Sequence, residues 1–143
     1  MIKIIIDGEP VGKGRPRFQR NGQPYTPEKT RIYEDYIKMC YRVQNGKDRV
    51  TPGAAVAVTI RACFGIPKRT SKLMRKLMLS SPYPVRPTKK PDADNIAKII
   101  LDALNGLAWE DDKQITGLLV TKEYSEVPQV IVEISEVIQE GEI

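Results

Sequence analysis

Histidine is missing altogether from the 143 residues, and no other absence excludes more. Without it there is no Ser-His-Asp or Cys-His nucleophile, no histidine-bearing metal finger, no HNH-type nuclease and no histidine general base. Any chemistry near neutral pH falls to carboxylates, lysine or a bound metal. Cysteine is scarce: Cys40 and Cys63 stand too far apart for a CxxC redox or zinc pair, and two buried thiols in an intracellular, cytoplasmic chain are the expected reading. Long apolar runs are lacking too. IKIII at 2–6 and AAVAV at 54–58 are strand-length, well short of the ~20 residues of a membrane span. No cleavable signal pattern is recognised. Nor is there a GxxxxGK[ST] motif; GKGR at 12–15 lacks the upstream glycine and the following Ser or Thr, so no nucleotide cofactor is expected.

What is present is charge, unevenly spread. Residues 1–90 carry 20 lysines and arginines against 6 acids, whereas residues 91–143 carry 3 against 12. A basic excess so concentrated points to a polyanion held through phosphate contacts, nucleic acid before others. A solvated face kept for solubility is the alternative.

Along the chain, Ile-rich alternation predicts a strand over 2–7. Residues 8–24 form a basic loop or irregular hairpin, with Asn21-Gly22 as its turn and Lys13, Arg15, Arg17 and Arg20 as candidate DNA contacts. Thr26-Pro27-Glu28 is a helix start with threonine as cap. Ile32, Tyr36, Met39, Cys40 and Val43 continue it at helical spacing to about Gln44. Residues 54–64 read as a long strand, with Val56, Val58 and Ile60 on one face. A short helix capped by Thr70 or Ser71 runs to Leu79, expected to turn Leu73, Leu77 and Met78 inward and Lys72, Arg75 and Lys76 outward, as a basic flap over a partner. A proline-rich extended loop follows, then a helix ended by Gly106, then strands in GLLVTKEY and QVIVEISEV joined by a turn at 125–128, and a frayed end bearing Glu140 and Glu142. This order predicts one domain over 1–143 of α/β (α+β) class, a mixed sheet of about four to five strands with helices packed on it.

Chemistry concentrates in KKPDADNIAKIILDALNG, residues 89–106. Ile96, Ile99, Ile100, Ala103 and Leu104 share one helical face, and Asn95, Lys98, Asp102 and Asn105 the other. Asp92 and Asp94 follow a proline; two apart on extended backbone they point the same way and converge. Asp94 alone could instead be a helix cap. Lys98 could pair with Asp102 one turn on, or approach whatever the aspartates hold. Glu110-Asp111-Asp112 is either a solvated turn or, folded beside Asp92 and Asp94, a carboxylate cluster whose repulsion demands a hard cation, Mg²⁺ or Mn²⁺. A basic chain without histidine, carrying such a cluster and a lysine, has the parts for metal-assisted phosphodiester hydrolysis.

KPDADN at 90–95, Lys98, DALNG at 102–106 and WEDDKQI at 109–115 together resemble the RusA family of Holliday junction resolvases, endodeoxyribonucleases common in phages and prophages. KGRPRF at 13–18 and YTPEKTRIYE at 25–34 are similar to the N-terminal half of many members. The resemblance implies that Asp92, Asp94 and Asp112 bind a divalent metal, with Asp111 as a lesser candidate. It also implies a catalytic Lys98, a supporting Asp102, and a homodimer placing two sites symmetrically on a four-way junction. Lys89 and Lys90 become phosphate contacts. Other readings remain: a nuclease for flaps, forks or RNA, a non-catalytic binder of DNA structure, or a protein whose basic half meets an acidic protein.

Overall fold

The computed structural model describes residues 1–141; Glu142, assigned above to a frayed end, lies outside the described residues. In chain order the elements are β1 (Ile2–Asp7), β2 (Arg17–Phe18), β3 (Pro24–Tyr25), α1 (Glu28–Asn45), β4 (Val56–Gly65), α2 (Lys72–Leu79), α3 (Ala93–Leu104), a 3₁₀ turn (Asp112–Gln114), β5 (Ile115–Ser125) and β6 (Gln129–Glu136). Four strands make one mixed sheet in the order β1-β6-β4-β5, parallel only between β4 and β5, while β2 and β3 form the small basic hairpin. This is the mixed α+β fold expected of the sequence.

Alternation explains the central strand: Val56, Val58, Ile60, Ala62 and Phe64 of β4 are buried, as are Ile4 and Ile6 of β1 and Val130, Val132 and Ile134 of β6. Helix α3 closes that core with Ile96, Ile99, Ile100, Ala103 and Leu104, all at most 1% exposed. Each of the isoleucines and Leu104 stabilises the fold by about 1.5–3 kcal/mol. Asn105 is the C-cap, and Gly106 follows it with φ +80°, a left-handed turn that glycine enters without strain, so the helix stops one position earlier than expected. The adjacent strands β5 and β6 do not pair with each other: β4 lies between them, because its apolar alternation is buried best at the centre of the sheet.

Three local expectations change. Pro27, not Thr26, is the cap position of α1, and no side chain caps it. The buried stripe of α1 is Thr30, Ile37, Cys40 and Tyr41, whereas Ile32, Met39 and Val43 are exposed. Polar contacts select that face. The Gln44 amide exchanges hydrogen bonds with the Ile5 backbone (2.8 and 2.7 Å) and Asn45 donates to the Lys3 carbonyl, so α1 covers the open edge of β1. Ser71 caps α2 by accepting from the Met74 N–H, as foreseen. Its apolar side does not turn inward, however: α2 has no buried residue, and Leu73 is 69% exposed, because the helix packs mainly on the edge strand β5.

Both cysteines are buried, at 8% and 2% exposure, and burial raises the pKa of each thiol. We therefore expect a thiol reagent at neutral pH to label Cys40 and Cys63 at the rate of unfolding and not of collision. Rapid labelling in native buffer, followed by mass spectrometry, would show the core to be open around them.

Candidate active site

The N-terminus of α3 organises the site. Asp92 occupies the cap position on extended backbone (φ −68°, ψ 151°) but its side chain caps nothing, and Asp94 lies in the first helical turn. Asp94 is therefore not the cap. Nor do the two carboxylates converge from one extended segment, since the helix begins at Ala93, between them. Both sit at the positive end of the helix dipole, which favours acids there irrespective of function.

The aspartates border two neighbouring spaces. A cavity of about 410 Å³ between α3 and β5 is lined by Asp94, Lys98, Asp102 and Asp112 over an apolar floor that includes Leu118 and Val120. A second cleft is lined by Lys13, Arg15, Lys90, Asp92 and Asn95. Sequence-distant Asp112 thus joins Asp94 and Lys98, while Asp92 stands among the basic residues. Among the described residues, no three acidic side chains stand close enough to hold a metal between them.

Asp112 is held in place by its own segment. Trp109, fully buried, donates its Nε1–H to Asp112 Oδ1 at 2.8 Å, leaving the other carboxylate oxygen. Asp111 is otherwise engaged: it caps the 3₁₀ turn, accepting from the Lys113 N–H at 2.9 Å, while the Gln114 side chain accepts from the Asp111 N–H in a reciprocal box. Gln114 also donates to the Ala54 carbonyl, anchoring this turn to the segment just before β4. The acidic run therefore divides, Asp112 to the cavity and Asp111 to local structure. The role of Trp109 was missed in the sequence, although its spacing three residues before an aspartate at a strand entrance was a readable signal.

The basic segment packs onto the same helix. A Cβ on Gly12 would fall 2.8 Å from Pro91 Cβ and 3.1 Å from Asn95 Cβ, so only glycine permits this approach. There the Lys13 N–H donates to the Asn95 carbonyl (2.9 Å) and the Gly14 N–H to Thr30 Oγ1 (3.1 Å). Lys13 turns inward, its side chain 18% exposed, with Nζ 3.2 Å from Glu34 Oε2 and 3.1 Å from Asp102 Oδ2. Burial opposes its charge, but hydrogen bonds to Asp102 and Glu34 outweigh this and raise its pKa. Asp102 consequently pairs with Lys13 and not with Lys98, which makes no ion pair among the described residues.

The remaining basic candidates lie outside this pairing. Arg15, Arg17 and Arg20 are exposed on and beside the hairpin, and Lys72 and Lys76 on α2. Arg75 approaches Glu126 at 3.8 Å. Lys89 lies over the Phe64 ring, 5.7 Å from its centroid, with its carbonyl accepting from Lys122.

Residues 7–135, which include both basic hairpin strands, α3 and the Trp109–Asp112 turn, match the family model described as Endodeoxyribonuclease RusA. The chain belongs to the RusA family. It is also 37% identical over 139 residues to "Uncharacterized protein YqaN" of Bacillus subtilis (strain 168), an alignment covering 95% of this chain and 96% of that one. RusA-family membership makes the chain one of the Holliday junction resolvases its motifs resemble, with endodeoxyribonuclease activity. No helix among the described residues is long and apolar enough to cross a membrane. In RusA-family terms, the cavity holding Asp94, Lys98 and Asp112 is the candidate active site.

Trp109→Phe removes the donor to Asp112 and part of the packing, and we expect it to cost about 1–3 kcal/mol in urea unfolding. Turnover should fall more than junction affinity, because Asp112 loses its fixed orientation. A folded Trp109→Phe protein with an unchanged cleavage rate would show that this bond positions nothing.

Proposed function

We propose that this protein is a Mg²⁺-dependent, structure-selective endodeoxyribonuclease that resolves four-way DNA junctions by paired, symmetric nicks. The observation that carries the reading is the meeting of Asp94, Lys98 and Asp112 at one cavity in a RusA-family chain. Two carboxylates lining one cavity suit a hard cation, since Mg²⁺ keeps several waters and commonly takes only one or two protein carboxylates beside the phosphate oxygens. Asp94 and Asp112 would hold it, with Asp92 approaching from the adjoining cleft. When bound, such an ion supplies an activated water and neutralises charge on the scissile phosphate; Mn²⁺ can serve in the same way.

The chain's own residues do the rest. Lys98, unpaired and facing the cavity, offers its ammonium to the phosphoryl oxygens as negative charge builds on them. Arg15 and Lys90 in the next cleft lie where flanking phosphates would be gripped, with Arg17 and Arg20 extending the track along the hairpin. Leu118 and Val120 form an apolar wall that limits water on one side of the cavity. A homodimer suits a substrate with two equivalent strands to cut. The uncovered Leu73 and Leu77 of α2, with Leu119 on the outer edge strand, provide apolar area for such an association.

The purified protein should nick an immobile synthetic four-way junction symmetrically with Mg²⁺, and Asp94→Asn should bind it with near-native affinity while cleaving at least ~10²-fold more slowly. Failure of the wild type to cut branched DNA across a range of Mg²⁺ and Mn²⁺ would overturn the assignment. Preferential cutting of flaps or forks would keep the nuclease and change its substrate. Replacing Arg15 and Lys90 together by Gln should weaken binding to all junction sequences alike and reduce the salt slope of log K by about 2, one per lost phosphate contact.

A further inference from the structure

Lys98 and Asp102 stand one helical turn apart on the exposed face of α3, close enough for an ion pair between them. The pair does not form. Asp102 Oδ2 lies 3.1 Å from Lys13 Nζ, and Lys13 is brought there by two glycine-dependent contacts, Gly12 against Pro91 and Asn95, and Gly14 against Thr30. Lys13 is also fixed from the other side by Glu34, whose two oxygens each lie 3.2 Å from Nζ. Its side chain is 18% exposed, less accessible than is usual for a lysine that meets phosphate directly. Asp102 lines the same cavity as Lys98, Asp94 and Asp112, so its partner decides how much uncompensated negative charge Lys98 meets there.

We propose that Lys13 is a positioning residue that captures Asp102 and thereby leaves the Lys98 ammonium free for the substrate phosphate. The step is an exchange of partners. With Lys13 present, Asp102 is neutralised by a cation held between α1 and α3. Without it, Asp102 is a lone carboxylate one turn from Lys98 and becomes that lysine's partner, holding its ammonium away from the substrate phosphate. Glu34 has a different part: it buttresses Lys13 from the side of α1 and is not among the residues that line the cavity. This role for Lys98 rests on the nuclease reading, whereas the exchange of partners is a property of the protein without metal or DNA and can be tested by itself.

The test compares wild type, Lys13→Met, Lys13→Met/Asp102→Asn and Glu34→Gln. Metal-free, DNA-free protein is treated briefly with an amine-modifying reagent, and modification of Lys98 is quantified by mass spectrometry against exposed Lys72 as internal standard. Modification of Lys98 should fall several-fold in Lys13→Met, return in the double variant and stay near wild type in Glu34→Gln even if that protein melts earlier. In cleavage assays, kcat of Lys13→Met should drop about tenfold with little change in KM, short of the ~10²–10³ expected on deleting a transition-state donor. The double variant should recover most of that loss. Unchanged Lys98 reactivity in folded Lys13→Met, or reactivity that the second substitution fails to restore, overturns the proposal. Should Lys13→Met not fold, Lys13→Gln, which removes the charge and ends one bond short of the position of Nζ while staying polar, serves in its place. A wild type that cuts no DNA counts against the nuclease assignment, while the labelling still decides the exchange.

Discussion

Helix α3 must be dry on one side and charged on the other, and the rest of the molecule accommodates that requirement. Burying Ile96, Ile99, Ile100, Ala103 and Leu104 fixes both the rotation and the height of the helix on the sheet. Once these are fixed, Asp94, Lys98 and Asp102 have no choice of direction; they face the gap toward β5. The apolar face is thus the source of the geometry of the polar one. A disturbance in the core beneath α3 would reach the charged side chains without touching them.

Two short segments bring in what α3 cannot supply. One is the turn before β5, where fully buried Trp109 holds Asp112 and the Asp111–Gln114 box shapes the backbone. The other is the glycine-flanked Lys13 loop, pressed so closely on Pro91 and Asn95 that a methyl group would not fit. The first supplies Asp112 to the cavity, and the second bonds to α3 twice, through the Lys13 N–H at Asn95 and the Lys13 ammonium at Asp102. Neighbouring acids in the run 110–112 consequently have unlike roles, and so do neighbouring cations in the run 13–20.

Charge at this site is balanced locally and not by abundance. The chain has cations to spare in its first 90 residues, but only Lys13 is drawn in to neutralise α3's Asp102, and the exposed arginines beyond it stay available to a polyanion. Pairing an acid with an inward lysine spares the outward-facing one. Such an arrangement lets a basic binding surface and an acidic centre lie side by side without collapsing into mutual salt bridges.

Much of this was legible in the linear order of residues. Periodicity placed β1, β4, α2 and α3 and identified the buried face of α3; the absence of histidine narrowed the chemistry; the motifs between 90 and 115 pointed to the family. These are local or compositional properties, carried by spacing along the chain. What only the tertiary structure decided depends on contacts between distant segments. The α1 stripe was set by Gln44 and Asn45 meeting the β1 edge, and β6 crossed to the far side of β4 although it follows β5 directly. Asp102 took Lys13 in preference to its helical neighbour. A side chain's spacing fixes which partners are possible, but the partner it keeps is chosen by the packing that brings one charge nearer, and drier, than the other.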